Sequence, residues 1–129
     1  GIKGNYKETD HLLPVNNYGW SKLGGESAVQ MYKNSLILRI CMTERPFIHS
    51  KAFANVKTNF IFHDEFIPLL KKVLNKKGIF NLGGPTKTVY NFAKKSNPKI
   101  KKIFLKKKPS IKFPSNPSMN LAKLNKLIK

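Results

Sequence analysis

With 129 residues and 40% apolar content, the chain suits one domain with a core of its own. It contains no run of about 18 apolar residues, so no membrane-spanning helix is expected, and its N-terminus shows no charged-then-apolar signal segment. The formal net charge of +19 raises nucleic acid as a partner, but 23 of the 25 cations are lysines, whereas specific recognition recruits the bidentate arginine fork, so only weak, salt-sensitive attraction is expected.

Residues 1–17 read as loop: glycines, Asn5, Asp10 and Pro14 punctuate the segment and no period holds. Residues 17–33 read as a helix. It pairs Tyr18 with Lys22, four residues apart and therefore on one helical face. A free phenol is a poor acid or base near neutral pH, but an ammonium held close favours the phenolate and lets the pair exchange a proton with a carbonyl or alcohol. The spacing alone also fits a half-buried tyrosine beside a solvated lysine on a surface helix. Gly24-Gly25 weakens a helix interior by about 1 kcal/mol per glycine, so close approach by a cofactor, strand or partner helix is expected there.

Residues 35–43 read as a strand. Leu36, Ile37, Leu38 and Ile40 are nearly continuous, as in a parallel strand covered on both faces. A helix followed by such a strand implies an α/β fold with crossover helices. Cys41 is the only cysteine, which rules out an intrachain disulfide and is compatible with a reducing cytoplasm. Residues 44–62 read as irregular, with Phe60-Ile61-Phe62 as a short closing strand; so long a stretch is expected to bind or move.

Residues 63–75 carry the clearest helical stripe, Phe66, Leu69, Leu70, Val73 and Leu74, with His63 or Asp64 as cap. His63-Asp64-Glu65 has no further His or Cys at ligand spacing, so no metal is expected. Residues 78–82 read as a strand ending at Gly83-Gly84-Pro85, a turn able to hold phosphate, and Thr86 or Thr88 caps a helix to about Ser96. Residues 97–117 are basic and proline-broken, either a solvated linker or a diphosphate clamp. A last helix is expected over 118–128, capped by Ser118 or Asn120.

Taken together, Pro14-x-x-x-Tyr18-Gly19-x-Ser21-Lys22-x-x-Gly25-Glu26 resembles the active-site helix of the extended short-chain dehydrogenase/reductases, most closely the dTDP-4-dehydrorhamnose reductase kind. Tyr6, Glu8, Asp10 and Pro14 match that family's entry segment, and Gly78-Ile79-Phe80-Asn81-Leu82-Gly83-Gly84-Pro85 also resembles it. The resemblance implies the C-terminal portion of a Rossmann-like NAD(P)-binding fold: part of the parallel sheet, flanking helices and a small substrate-binding lobe. As one partial domain, 1–43 would hold the entry loop, active-site helix and core strand, and 44–129 the substrate lobe and closing elements.

It further implies reduction of a keto group on a nucleotide-linked sugar with NADP or NAD. Tyr18 would donate the proton, and Lys22 would assist it and hold the nicotinamide ribose, both residues contacting the cofactor. Met42 to Phe47 would line the sugar pocket, with Arg45 a candidate diphosphate partner. Alternatives are a sugar-nucleotide epimerase or dehydratase, and a non-catalytic nucleotide-sugar binding lobe. A cytoplasmic protein and a homodimer are compatible with the resemblance.

The family's dinucleotide-binding half, with its glycine-rich turn after a first strand, has no counterpart in these residues, nor has its third catalytic Ser or Thr. The chain also begins at Gly1 rather than methionine. Processing or a fragment of a longer protein is therefore expected, with little independent activity. The missing strands would leave a sheet edge open, and a marginally stable or self-associating chain is expected.

Overall fold

The computed structural model describes residues 1–107 and 112–129. In chain order the elements are α1 (Asn17–Gln30), β1 (Leu36–Ile40), β2 (Met42–Thr43), β3 (Lys51–Phe53), β4 (Lys57–Thr58), β5 (Ile61–Phe62), α2 (His63–Val73), β6 (Gly78–Leu82), β7 (Lys87–Thr88), α3 (Val89–Ala93), β8 (Lys101–Ile103) and α4 (Ala122–Ile128). The α/β class is as expected, and the connection from β1 through α2 to β6 is a parallel crossover.

β1 and β6 pair in parallel from Leu36↔Gly78 to Ile40↔Leu82. Alternate residues point to opposite faces. Leu36, Leu38 and Ile40 therefore share one face with Phe80 and Leu82, and there they meet Phe66, Leu69, Leu70 and Val73 of α2 and Leu124, Leu127 and Ile128 of α4. The helical stripe thus holds through Val73. Leu74, the C-cap residue of α2, is 61% exposed and does not join the stripe. The cap also differs from expectation. Phe62 is the N-cap residue, and its amide donates to the Glu65 carboxylate at 3.1 Å, so neither His63 nor Asp64 fills the cap.

The stretch 44–62, expected to be irregular, holds three short strands, each paired with a distant segment. β3 runs parallel to β8, β4 antiparallel to β7, and β5 parallel to β2. β5 falls within the short closing strand expected at Phe60-Ile61-Phe62, whereas β3 and β4 escape a pattern reading because two or three residues cannot display a period. Between them Phe47, Ala52, Phe62, Phe92, Ala93 and Ile100 form a second core, with Phe60 stacked on Phe92 at 5.4 Å between centroids. β8 shows that 97–117 is more than a linker; its residues 108–111, within the basic run, lie outside the described residues. Thr88 caps α3 as expected, accepting from the Asn91 amide at 3.1 Å. Asn120 accepts from the Ala122 amide at the start of α4. Ser118 instead accepts from the Asn5 amide and ties down the entry loop.

The strand expected to be covered on both faces is only half-buried at all five positions, and among the described residues β1 has a strand neighbour on one side alone. α1 is shorter than expected, ending at Gln30, and contributes no buried residue. Only Gly19, Leu23 and Glu26 escape full exposure, a single i, i+4, i+7 line facing the body. Among the described residues nothing makes the expected close approach at Gly24-Gly25: a Cβ built on either glycine meets none of their atoms within 4 Å.

Candidate active site

α1 starts where Asn16, in extended backbone, accepts a hydrogen bond from the Gly19 amide at 2.9 Å. This places Tyr18 and Lys22 on adjacent turns of one face. The Lys22 ammonium lies 5.2 Å from the centroid of the Tyr18 ring, a cation–π contact. Tyr18 is 71% exposed, so its phenol is open to a reactant from solvent. The two residues expected to act together are therefore brought together.

What fixes α1 to the body is polar. Glu26 meets Arg39 of β1 in a two-pronged pair at 2.6 and 3.0 Å, with side chains 10% and 16% exposed. Arg39 also donates to the Glu8 carbonyl at 3.2 Å, and the Glu8 carboxylate accepts from the Asn81 amide at 3.0 Å. The buried Asn81 side chain donates to the carbonyls of Tyr6 and Asn120. One connected network thus aligns the entry loop, α1, β1 and β6. It explains why Glu8 and Glu26 stand where they do, although the sequence offered only their place in a pattern.

Arg45 is engaged elsewhere. Its guanidinium lies 3.9 Å over the Phe62 ring and pairs with Asp64 and Glu65, each at 3.1 Å. A diphosphate would have to compete with two carboxylates for it. The turn at Gly83-Gly84 is likewise filled from within. The Gly84 amide donates to the Asn59 carbonyl, and the Asn59 side chain donates to the Gly84 carbonyl and to Thr86. A Cβ at Gly83 would fall 2.5 Å from the Asn59 carbonyl oxygen, so glycine is needed there to let two backbones meet rather than to cradle phosphate.

A cavity of about 680 Å³ opens beyond the carboxyl end of β1, the position where open α/β sheets receive ligands. Phe47, Phe53, Phe60 and Phe113 wall it, and Cys41 and Thr58 supply polar groups. Of the segment expected to line a sugar pocket, Phe47 reaches this cavity and the neighbouring Cys41 joins it; Met42 to Pro46 do not. Burial pushes the Cys41 thiol up from its ordinary pKa, and a hydrogen bond with Thr58 partly opposes that. The sequence signals toward this cavity were the length of the stretch 44–62, expected to bind or move, and the pocket role that the resemblance implied for Met42 to Phe47.

No protein-family model and no curated protein matches the sequence. Solved structures do. A hypothetical dTDP-4-dehydrorhamnose reductase from Sulfolobus tokodaii is 26% identical and superposes on 96% of this chain with a TM-score of 0.79, using 52% of its own length. The chain has the fold of part of a dTDP-4-dehydrorhamnose reductase. The Yersinia enterocolitica dTDP-4-dehydrorhamnose reductase agrees in fold, at 20% identity and TM-score 0.66 over 98% of this chain and 60% of its own. So does the Bacillus cereus UDP-glucuronic acid 4-epimerase, solved in complex with NAD, at 19% identity and TM-score 0.68 over 98% and 49%. The chain spans about half the length of the structures it matches.

Proposed function

We propose that residues 1–129 are the substrate-side part of an NAD(P)H-dependent reductase acting on a keto group of a nucleotide-linked sugar. The observation that carries this is the Tyr18–Lys22 contact on an exposed helix face, within a fold that overlays a dTDP-4-dehydrorhamnose reductase along nearly its whole length. In this reading Tyr18 delivers its phenolic proton to the carbonyl oxygen. The Lys22 ammonium stabilises the phenolate left behind. The chemistry that a bound nicotinamide supplies is the hydride. The Glu26–Arg39 pair keeps α1, and with it Tyr18, at a fixed height over the sheet. The aromatic cavity past β1 receives the flat apolar part of the substrate, and the surrounding lysines attract its phosphates.

A dinucleotide does not fit on these residues alone. Among the described residues, the glycine-rich turn between a strand and a helix, at Gly83-Gly84, is occupied by Asn59, so in this reading they offer the cofactor only the Tyr18–Lys22 edge. Catalysis in this reading needs material outside residues 1–129.

The test uses a chimera in which residues 1–129 replace the matching part of the Sulfolobus tokodaii reductase. Oxidation of NADPH is followed by absorbance with a panel of keto-sugar nucleotides. Tyr18→Phe is expected to lower kcat by about 10²–10⁴-fold, the size of a lost general acid, with KM little changed. Equal activity of the Tyr18→Phe chimera would overturn the assignment. Turnover of a sugar nucleotide without net NADPH consumption would move it to the epimerases, for which the overlay with the Bacillus cereus enzyme speaks.

A further inference from the structure

Among the described residues, the side chain of Asn16 joins the helix that bears Tyr18 to the wall of the aromatic cavity. Its carboxamide oxygen accepts from the Gly19 amide at 2.9 Å and so opens α1. Its carboxamide nitrogen donates to the Lys112 carbonyl, also at 2.9 Å, across 96 positions of sequence. Lys112 leads into a short strap, residues 112–117, in which Phe113, Pro114 and Pro117 line the cavity. Phe113 meets Phe53 of β3 at 6.3 Å between centroids, and the Ser115 carbonyl accepts from the Lys57 amide of β4 at 3.1 Å. The strap is thus fixed to the aromatic lobe on one side and to Asn16 on the other.

A cap needs only the acceptor half of an asparagine; aspartate or serine would serve as well. Among these three, asparagine alone carries an acceptor oxygen and an amide donor on one rigid planar group. Here both ends are used. The start of α1 has little slack around it, since a Cβ on Gly19 would lie 3.0 Å from the Pro14 Cβ and 3.4 Å from the Asn16 Oδ1. Tyr18 is two residues beyond the cap, so its backbone moves with Asn16. A proton donor must stand within about 2.6–3.2 Å of the oxygen it serves, and a misplacement of ~1 Å can cost about 10²-fold. The cavity locates the substrate and α1 locates Tyr18, and the Asn16 carboxamide spans the two. We propose that Asn16 is a positioning residue, which holds the start of α1 at a fixed distance from the strap and so sets Tyr18 against a substrate lodged in the cavity. This role rests on the reading of Tyr18 as the proton donor and of the cavity as the substrate site.

Asn16→Asp separates the two bonds, because a carboxylate still accepts from Gly19 but cannot donate to a carbonyl. Asn16→Ser does the same without adding charge, its side chain being too short to reach both partners. Hydrogen exchange on residues 1–129 reads the tie itself. In both variants the Gly19 amide is expected to keep its protection, while the Lys57 amide, which reports on the strap, exchanges about three-fold faster or more, the size of one lost hydrogen bond. Unchanged exchange at Lys57 would overturn the tie. The role is read by a double-mutant cycle in the chimera with the Sulfolobus tokodaii reductase. With Tyr18 present, either variant is expected to lower kcat by about ten-fold. In the Tyr18→Phe background the same change is expected to lower it by less than about two-fold, because Asn16 acts through Tyr18. A merely structural cap would multiply the two losses, and that result would overturn the proposal while leaving Tyr18 as the acid. If Tyr18→Phe alone costs nothing, the reading of Tyr18 falls and this role falls with it.

Discussion

The two faces of the β1–β6 sheet are closed by different means. On one, Leu36, Leu38, Ile40, Phe80 and Leu82 interlock with α2 and α4 around Val73 and Leu124, which are essentially inaccessible. On the other, α1 touches the sheet along a single line, and a Glu26–Arg39–Glu8–Asn81 network takes the place of apolar packing. Apolar burial is non-directional and tolerates sliding, whereas an arginine–carboxylate fork fixes angle and distance. The apolar face supplies stability. The polar face supplies alignment for a helix that carries Tyr18 and Lys22.

The largest expected effect falls on the apolar face. Leu82→Ala or Leu124→Ala leaves a void among fixed neighbours and should cost about 3 kcal/mol. Leu23→Ala, on the half-buried line of α1, should cost about 1 kcal/mol or less. Urea unfolding of the three variants checks this, and equal losses would erase the contrast between the faces. Next comes Glu26→Gln, which strands Arg39 in a largely enclosed site. It is expected to cost about 2 kcal/mol, below the figure for a fully buried pair because some solvent reaches both side chains. Exchange should quicken along α1 before it does in α2. Smaller and opposite in sign, Gly25→Ala should stabilise the isolated chain by up to about 1 kcal/mol, since the added methyl meets nothing and helix propensity improves. A loss would mean that α1 is already covered.

How far the sequence revealed this architecture follows the same division. α2, β6 and the course of β1 were legible because long apolar periods report directly on burial. The Tyr18–Lys22 contact was legible because helical spacing alone puts the two on one face. Of the short strands, β5 was legible within Phe60-Ile61-Phe62, whereas β3, β4, β7 and β8 were not, since they are held by pairing with partners far along the chain and not by a local pattern. The fates of Arg45 and Gly83-Gly84 were also hidden. Both types suit phosphate in isolation, and only the fold brings Asp64, Glu65 and Asn59 to them first. The half-burial of β1 was not legible: helices close both faces of the sheet as its composition suggests, but α1 meets it along a single line, and among the described residues only β6 pairs with it.

The smallest effect belongs to Cys41, one residue past β1, where the sheet passes into the aromatic lobe. Burial raises its thiol pKa above the ordinary 9.0, with the Thr58 hydrogen bond a lesser opposing influence. The folded state therefore holds this proton more tightly than the unfolded one. The resulting stabilisation is complete below the unfolded value and is lost as pH rises from about 9 through the folded pKa. Wild type should lose more stability than Cys41→Ala between pH 8 and pH 10, by a fraction of 1 kcal/mol at the lower end of that range. Alkylation by iodoacetamide at pH 8 should be slower than for an unfolded control, because the thiolate is the attacking form. Parallel pH profiles for wild type and Cys41→Ala, or alkylation as fast as in urea, would show that water reaches the end of β1 and that the aromatic lobe is as open as the α1 face.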